Sequence, residues 1–140
     1  MDTASRLSVQ VTKLTAYALV TAAGAVERDT RPVLIHHLNK ALRMTRVAVI
    51  MDMSAVHHCD FSGLSAIAHT FRQAEPPPPS LVLVDPTERL KRALSATALE
   101  PVYAHADLES ALRWLETGSV HRTGRGAADG NHDGQRKRLG

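Results

Sequence analysis

A single cysteine, Cys59, excludes an internal disulfide and makes a reducing cytoplasm the natural setting. Aromatic residues are nearly as scarce: one Trp, two Tyr and two Phe in 140 residues, so a core must be built from Val, Leu, Ile and Ala. No run of about 18 apolar residues occurs, which predicts no membrane-spanning helix. The opening Met1-Asp2-Thr3-Ala4-Ser5-Arg6 lacks the charged-then-apolar pattern of a secretory signal. Before residue 118 the chain carries only Gly24 and Gly63, too few for a glycine loop that cradles phosphate.

An excess of one charge is also missing from most of the chain. The formal net charge is +3, yet residues 117–140 hold five basic residues (Arg122, Arg125, Arg136, Lys137, Arg138) against Asp129 and Asp133. Residues 1–116 therefore carry twelve of each sign, and a basic nucleic-acid-binding face is not expected there. The remaining six glycines all fall after Thr117, mixed with Arg, Asp, His and Asn. Such a segment buries too little apolar area to offset chain entropy, so 117–140 is expected to be a disordered tail behind one domain at 1–116.

Within 1–116 the periodicity alternates. Leu7, Val9 and Val11 share one face of a strand, and Tyr17 to Ala23 reads as a second strand ended by Gly24, the two forming a hairpin. Pro32 sits near the start of a helical pattern of Val33, Leu34, His37, Leu38, Ala41 and Leu42. Val47 to Asp52 is nearly all apolar, as a central strand covered on both faces should be. A helix over Gly63 to Ala74 stops at Pro76-Pro77-Pro78-Pro79, and Leu81 to Val84 is another buried strand. A helix from Pro86-Thr87-Glu88 to about Thr97, a strand at Val102 to Ala104 and a final helix capped by Asp107 complete the pattern. Strands alternating with helices predict an α/β fold with helices packed on a mixed sheet.

Two clusters invite chemistry and deliver little. His57-His58-Cys59-Asp60 resembles a metal site, but adjacent strand residues point to opposite sides and no second Cys/His group has ligand spacing. His36 and His37 lie on a helix, one exposed and one at its boundary, with no assigned role. A serine hydrolase would need a strained Gly-x-Ser-x-Gly turn, whereas Ser62 stands in Asp60-Phe61-Ser62-Gly63. That turn is nonetheless informative. It follows an apolar strand and opens a helix, so Ser62 is either the helix cap, an ordinary loop serine or an acceptor on an interaction surface.

The surrounding motifs resemble the STAS domain family, which includes bacterial anti-sigma factor antagonists and the cytoplasmic tails of sulphate transporters. Soluble members carry Asp-Leu-Ser-Gly-Val and then Asp-Ser-Ser-Gly-Leu, matched by Asp52-Met53-Ser54-Ala55-Val56 and Asp60-Phe61-Ser62-Gly63-Leu64. The family's Gly-Glu-Leu-Asp-x-x-Thr-x-Pro-x-Leu is similar to Gly24 through Leu34, with Glu27 for the aspartate. Val84-Asp85-Pro86 and the leucine-rich helix ending Thr97-Ala98-Leu99, with Ala98 for a glycine, extend the likeness over roughly residues 7–116.

The resemblance implies a STAS-like fold, with a four- to five-stranded mixed sheet and about four helices mainly on one face. It implies a non-enzymatic antagonist that needs no cofactor or metal. Its partners would be an anti-sigma factor serine kinase, which phosphorylates Ser62, and a phosphoserine phosphatase, which resets it. Phe61 stands where the family has a small serine. The docking surface it implies is Asp60, Phe61, Ser62, Gly63, Leu64 and Ser65 with the Asp29-Thr30 loop. A STAS scaffold or transport-accessory subunit without phosphorylation is the alternative, and a small hydrolase a remote one.

Overall fold

The computed structural model describes residues 6–97, 102–117 and 138–139. The chain opens with β1 (Leu7–Leu14) and β2 (Tyr17–Val26), an antiparallel hairpin paired from Leu7↔Gly24 to Leu14↔Tyr17. Leu7 is buried and Val9 and Val11 are half-buried on its inner face, while Ser8, Gln10 and Thr12 are exposed. There follow α1 (Arg31–Leu42), β3 (Ala48–Cys59), α2 (Phe61–Arg72), β4 (Ser80–Val84), α3 (Glu88–Ser95), β5 (Val102–His105) and α4 (Leu108–Glu116). A two-residue strand, β6 (Arg138–Leu139), pairs antiparallel with β5.

The sheet runs β1-β2-β3-β4-β5-β6, with β2 through β5 parallel. This order fixes where the helices go. Each crossover from β2 to β5 steps one strand in the same direction, and right-handed connections then place α1, α2 and α3 on one face. Leu34, Leu38, Leu64, Ile67, Phe71, Leu90 and Leu94 from these helices pack on Val20, Val49, Met51, Leu81 and Leu83. α4 follows the last parallel strand and has no crossover to make. It covers the opposite face, where Ala111 and Leu115 meet Tyr17, Ala48, Ile50, Val82 and Val84. Successive residues of β3 from Ala48 to Met51 and of β4 from Leu81 to Val84 thus feed two different cores, which is why both stretches are apolar.

The expected fold class holds, and the helices divide three and one. Several boundaries differ from the sequence reading, three of them at the site. β2 does not end at Gly24 but runs through it to Val26, and β3 continues past Asp52 to Cys59. α2 begins at Phe61, two residues before Gly63. β4 pairs with β3 only over Ala48 to Asp52, so the last seven residues of β3 have β2 alone beside them. Of the expected tail, residues 118–137 and 140 lie outside the described residues.

Gly24 has φ +116, and a Cβ there would stand 2.1 Å from the Arg6 carbonyl oxygen. Both the left-handed backbone and the close approach require glycine. Gly24→Ala should therefore cost about 2 kcal/mol or more in urea unfolding, from backbone strain plus the clash. A loss under about 0.5 kcal/mol would mean that β1 can shift away at little cost.

Candidate functional site

The ends of β2 and β3 carry the two helix starts that form the site. Val26 closes β2. Its carbonyl accepts the Asp60 N–H at 3.0 Å, and a Cβ on Gly63 would meet its Cγ1 at 2.4 Å. Gly63 is thus required by contact, because the first turn of α2 lies directly on the end of β2. On the other side of Val26 the chain turns into α1. The buried Thr30 donates its hydroxyl to the Ala25 carbonyl at 2.8 Å and accepts the Glu27 N–H at 2.9 Å. The Thr30 and Arg31 N–H groups both bond the Glu27 carbonyl, at 3.1 and 2.8 Å. The 27–31 turn is therefore fixed from within.

Asp60, not Ser62, caps α2. Its backbone is extended and its Oδ1 accepts the Gly63 N–H at 2.9 Å. A cap carboxylate reaches the N–H three residues on. Ser62 is already inside the first turn, where its side chain cannot make that bond. The helix-cap reading of Ser62 is corrected accordingly. Its Oγ instead accepts a hydrogen bond from Arg31 Nη1 at 2.9 Å, which joins the first residue of α1 to the second of α2. Arg31 was not anticipated. Its contact spans 31 positions, and only the sheet topology brings the two helix starts together.

The anticipated surface residues sort into two layers. Phe61 is 77% exposed, Asp29 is exposed, and Asp60, Ser62 and Ser65 are half-buried. Thr30, Gly63 and Leu64 are buried beneath them. These three shape the surface and offer no side chain to a partner. Around the turn, Arg6 lies 3.3 Å from Asp29 and 3.8 Å from Glu27, and His58 Nε2 lies 3.9 Å from Glu27.

Because β3 outruns β4, a groove of ≈ 330 Å³ opens between the end of β3, the start of α2 and the start of α3. Met53, Val56, Leu64, Leu90 and Ala93 give it apolar lining, and Phe61 stands beside them. Cys59 also lines it. Burial, with the Asp60 charge adding, pushes its thiol up to about 11. Among the described residues no group of three or more His, Cys, Asp or Glu is placed to hold a metal. No helix among them is long and apolar enough to cross a membrane.

The fold, a chain-ordered mixed sheet with three helices on one face and one on the other, has counterparts among solved structures. An anti-sigma factor antagonist from Mycobacterium paratuberculosis superposes with a TM-score of 0.62 at 19% identity, over 79% of this chain and 94% of that one. The anti-sigma factor antagonist SpoIIAA in its unphosphorylated form gives 0.62 at 14% identity, over 78% and 98%. The Bacillus cell fate determinant SpoIIAA in the phosphorylated form gives 0.59 at 14%, over 76% and 98%. At these identities the likeness establishes the fold. No curated protein sequence matches the chain. A family model described as the STAS domain matches residues 8–111, and the chain belongs to that family.

Two measurements check this geometry. Asp60→Ala should cost about 1 kcal/mol of unfolding free energy, the value of a lost cap, whereas Ser62→Ala should stay within about 0.5 kcal/mol. The reverse order would return the cap to Ser62. Cys59 should alkylate at pH 8 at least about tenfold more slowly in the folded protein than in urea, because the raised pKa keeps it as the unreactive thiol. Its rate should climb as the pH approaches 11.

Proposed function

We propose that this protein is an anti-sigma factor antagonist that works by partner switching in the bacterial cytoplasm. The observation that carries the reading is the position of Ser62. Asp60 takes over the capping, so the Ser62 hydroxyl is not needed to hold the helix and sits half-exposed beside Phe61. A serine in that place can change state without unfolding the domain. The fold likeness to antagonists, one of them in a phosphorylated form, supports the same reading.

The partner is a serine-kinase anti-sigma factor. In the bare state it binds over Ser62, with Phe61 as an apolar anchor and Asp29, Asp60 and Ser65 around it. An exposed aromatic that becomes fully desolvated at an interface is the usual form of a binding hot spot. The kinase then moves the γ-phosphoryl group of ATP to Ser62 Oγ. The hydroxyl proton leaves to a base on the kinase, and ADP departs. Phosphoserine adds roughly −1.5 to −2 charges at neutral pH, plus bulk, and a closely fitted partner is expelled. A phosphatase hydrolyses the ester and restores the hydroxyl.

This chain supplies the substrate and no catalytic group. The group in contact with Ser62 Oγ is a guanidinium, which stays protonated and cannot serve as a general base. The folded domain reaches its effect on transcription through the anti-sigma factor, with no direct contact to DNA.

Calorimetry with a kinase-type anti-sigma factor should give affinities at least about tenfold weaker for both Ser62→Asp and Phe61→Ala than for wild type. Mass spectrometry after incubation with that kinase and ATP should place one phosphoryl group on the peptide containing Ser62. Equal affinity for Ser62→Asp and wild type would sink the switch while leaving the fold untouched.

A further inference from the structure

Arg31 plays no part in the partner-switching reading, yet it is the side chain in contact with the hydroxyl on which that reading turns. Of the other charges around the turn, the exposed Arg28 is in no ion pair among the described residues, and the rest have partners of their own. Asp60 holds the Gly63 N–H through Oδ1. Glu27 and Asp29 face Arg6, and His58 faces Glu27. Farther away, Arg46 meets Glu75 and Arg113 meets Glu109. Among the described residues Arg31 pairs with no carboxylate, and its Nη1 is spent on a neutral hydroxyl.

A guanidinium offers five N–H donors in a fixed fork, suited to the oxygens of a phosphate. One donor on a neutral acceptor uses little of that capacity. The same hydroxyl lies in the first turn of α2, where the Phe61 and Ser62 N–H groups take no acceptor among the described residues. That helix start adds a partial positive charge, but the arginine aimed at Oγ carries the argument.

We propose that Arg31 is a preformed receiver for a phosphoryl group on Ser62. Its guanidinium pairs with the phosphate oxygens and holds the modified side chain against the start of α1, away from the groove beside Phe61. This rests on Ser62 being the modified residue and deepens that reading. The phosphorylated state is then a single ordered form, not a mobile charge. The arginine also favours the dianion, so the modified protein carries its full added charge at neutral pH. The bond to the bare hydroxyl is the resting position of the same side chain.

The test installs phosphoserine at position 62 of the full chain during translation and follows its phosphorus resonance against pH. A free phosphoserine has its second pKa near 6. For a half-exposed ion pair the wild-type value should lie about 0.5 to 1 unit below that of Arg31→Gln, with Arg31→Lys between them. Arg31→Gln keeps a neutral donor for the hydroxyl, so the fold is retained, and thermal unfolding of the bare variants verifies this. A role limited to tying α1 to α2 would change melting temperatures and leave the phosphorus titration unmoved. Equal second pKa values in wild type and Arg31→Gln overturn the proposal. No kinase enters the experiment, so its outcome stands apart from the partner-binding result. A kinase that ignores Ser62 would remove the switch, and an unshifted titration would remove the receiver.

Discussion

The contact between Val26 and the first turn of α2 is the constraint on which the rest of the site depends. One carbonyl receives the Asp60 N–H, and one methyl group fills the place where any residue but glycine at position 63 would put a Cβ. Together they bring the end of a strand and the start of a helix to van der Waals distance. The cap of α2 is then set by Asp60, and Ser62 comes to the half-exposed rim of the turn. The same strand end leads within five residues into α1, so Arg31 arrives at Ser62 from the other side. A serine, its neighbouring aromatic and an arginine 31 residues away are positioned by one packed joint.

That joint is backed by an asymmetric sheet. Three helices bury the face beneath the site, and α4 alone buries the other. The surface around Phe61 therefore rests on the larger of the two cores, where Leu64, Ile67 and Phe71 of α2 are anchored. Burial of a side chain of that size contributes about 1.5–3 kcal/mol each, so the first turn is held firmly from below while its outer side stays open. The partner exchange proposed for this surface would need that combination. The half-exposed and exposed residues there stand over the buried Thr30, Gly63 and Leu64.

Much of this was legible in the sequence, for identifiable reasons. Helical spacing picked out Leu34, Leu38, Ile67, Phe71, Leu90 and Leu94 because burial on one face repeats with the helix period. Asp107 was recognised as a cap and does accept the Ser110 N–H. What escaped was whatever depends on backbone pairing or on distant partners. β3 carries on to Cys59 because its ladder with β2 continues after its side chains turn outward and the apolar pattern stops. In sequence only Ser62 was considered as a cap, and the extended backbone at Asp60 gives that place to Asp60. The Asp29-Thr30 loop was expected to take part in docking; in the structure the Thr30 hydroxyl faces inward, tied to Ala25 and Glu27, and it is the next residue, Arg31, that reaches Ser62. Arg31 had no local signature at all.

The pairing of β2 with β3 slips twice, between Thr21 and Ala23 and again between Gly24 and Ala25. Tyr17 stands opposite Ala48, yet Val26 stands opposite Cys59, so β3 spends two more residues than β2 over the same span. Irregularities of this kind take up surplus chain by bending it, without breaking the ladder on either side. The site is therefore located by contact and not by counting. One residue more or fewer between Met53 and His57 can be absorbed as strand slack, while Ser62 remains opposite Arg31. A change of one residue between Asp60 and Gly63 has no such reserve, because there the spacing itself is the joint. Length can vary along the approach to Ser62, but not within the turn that carries it.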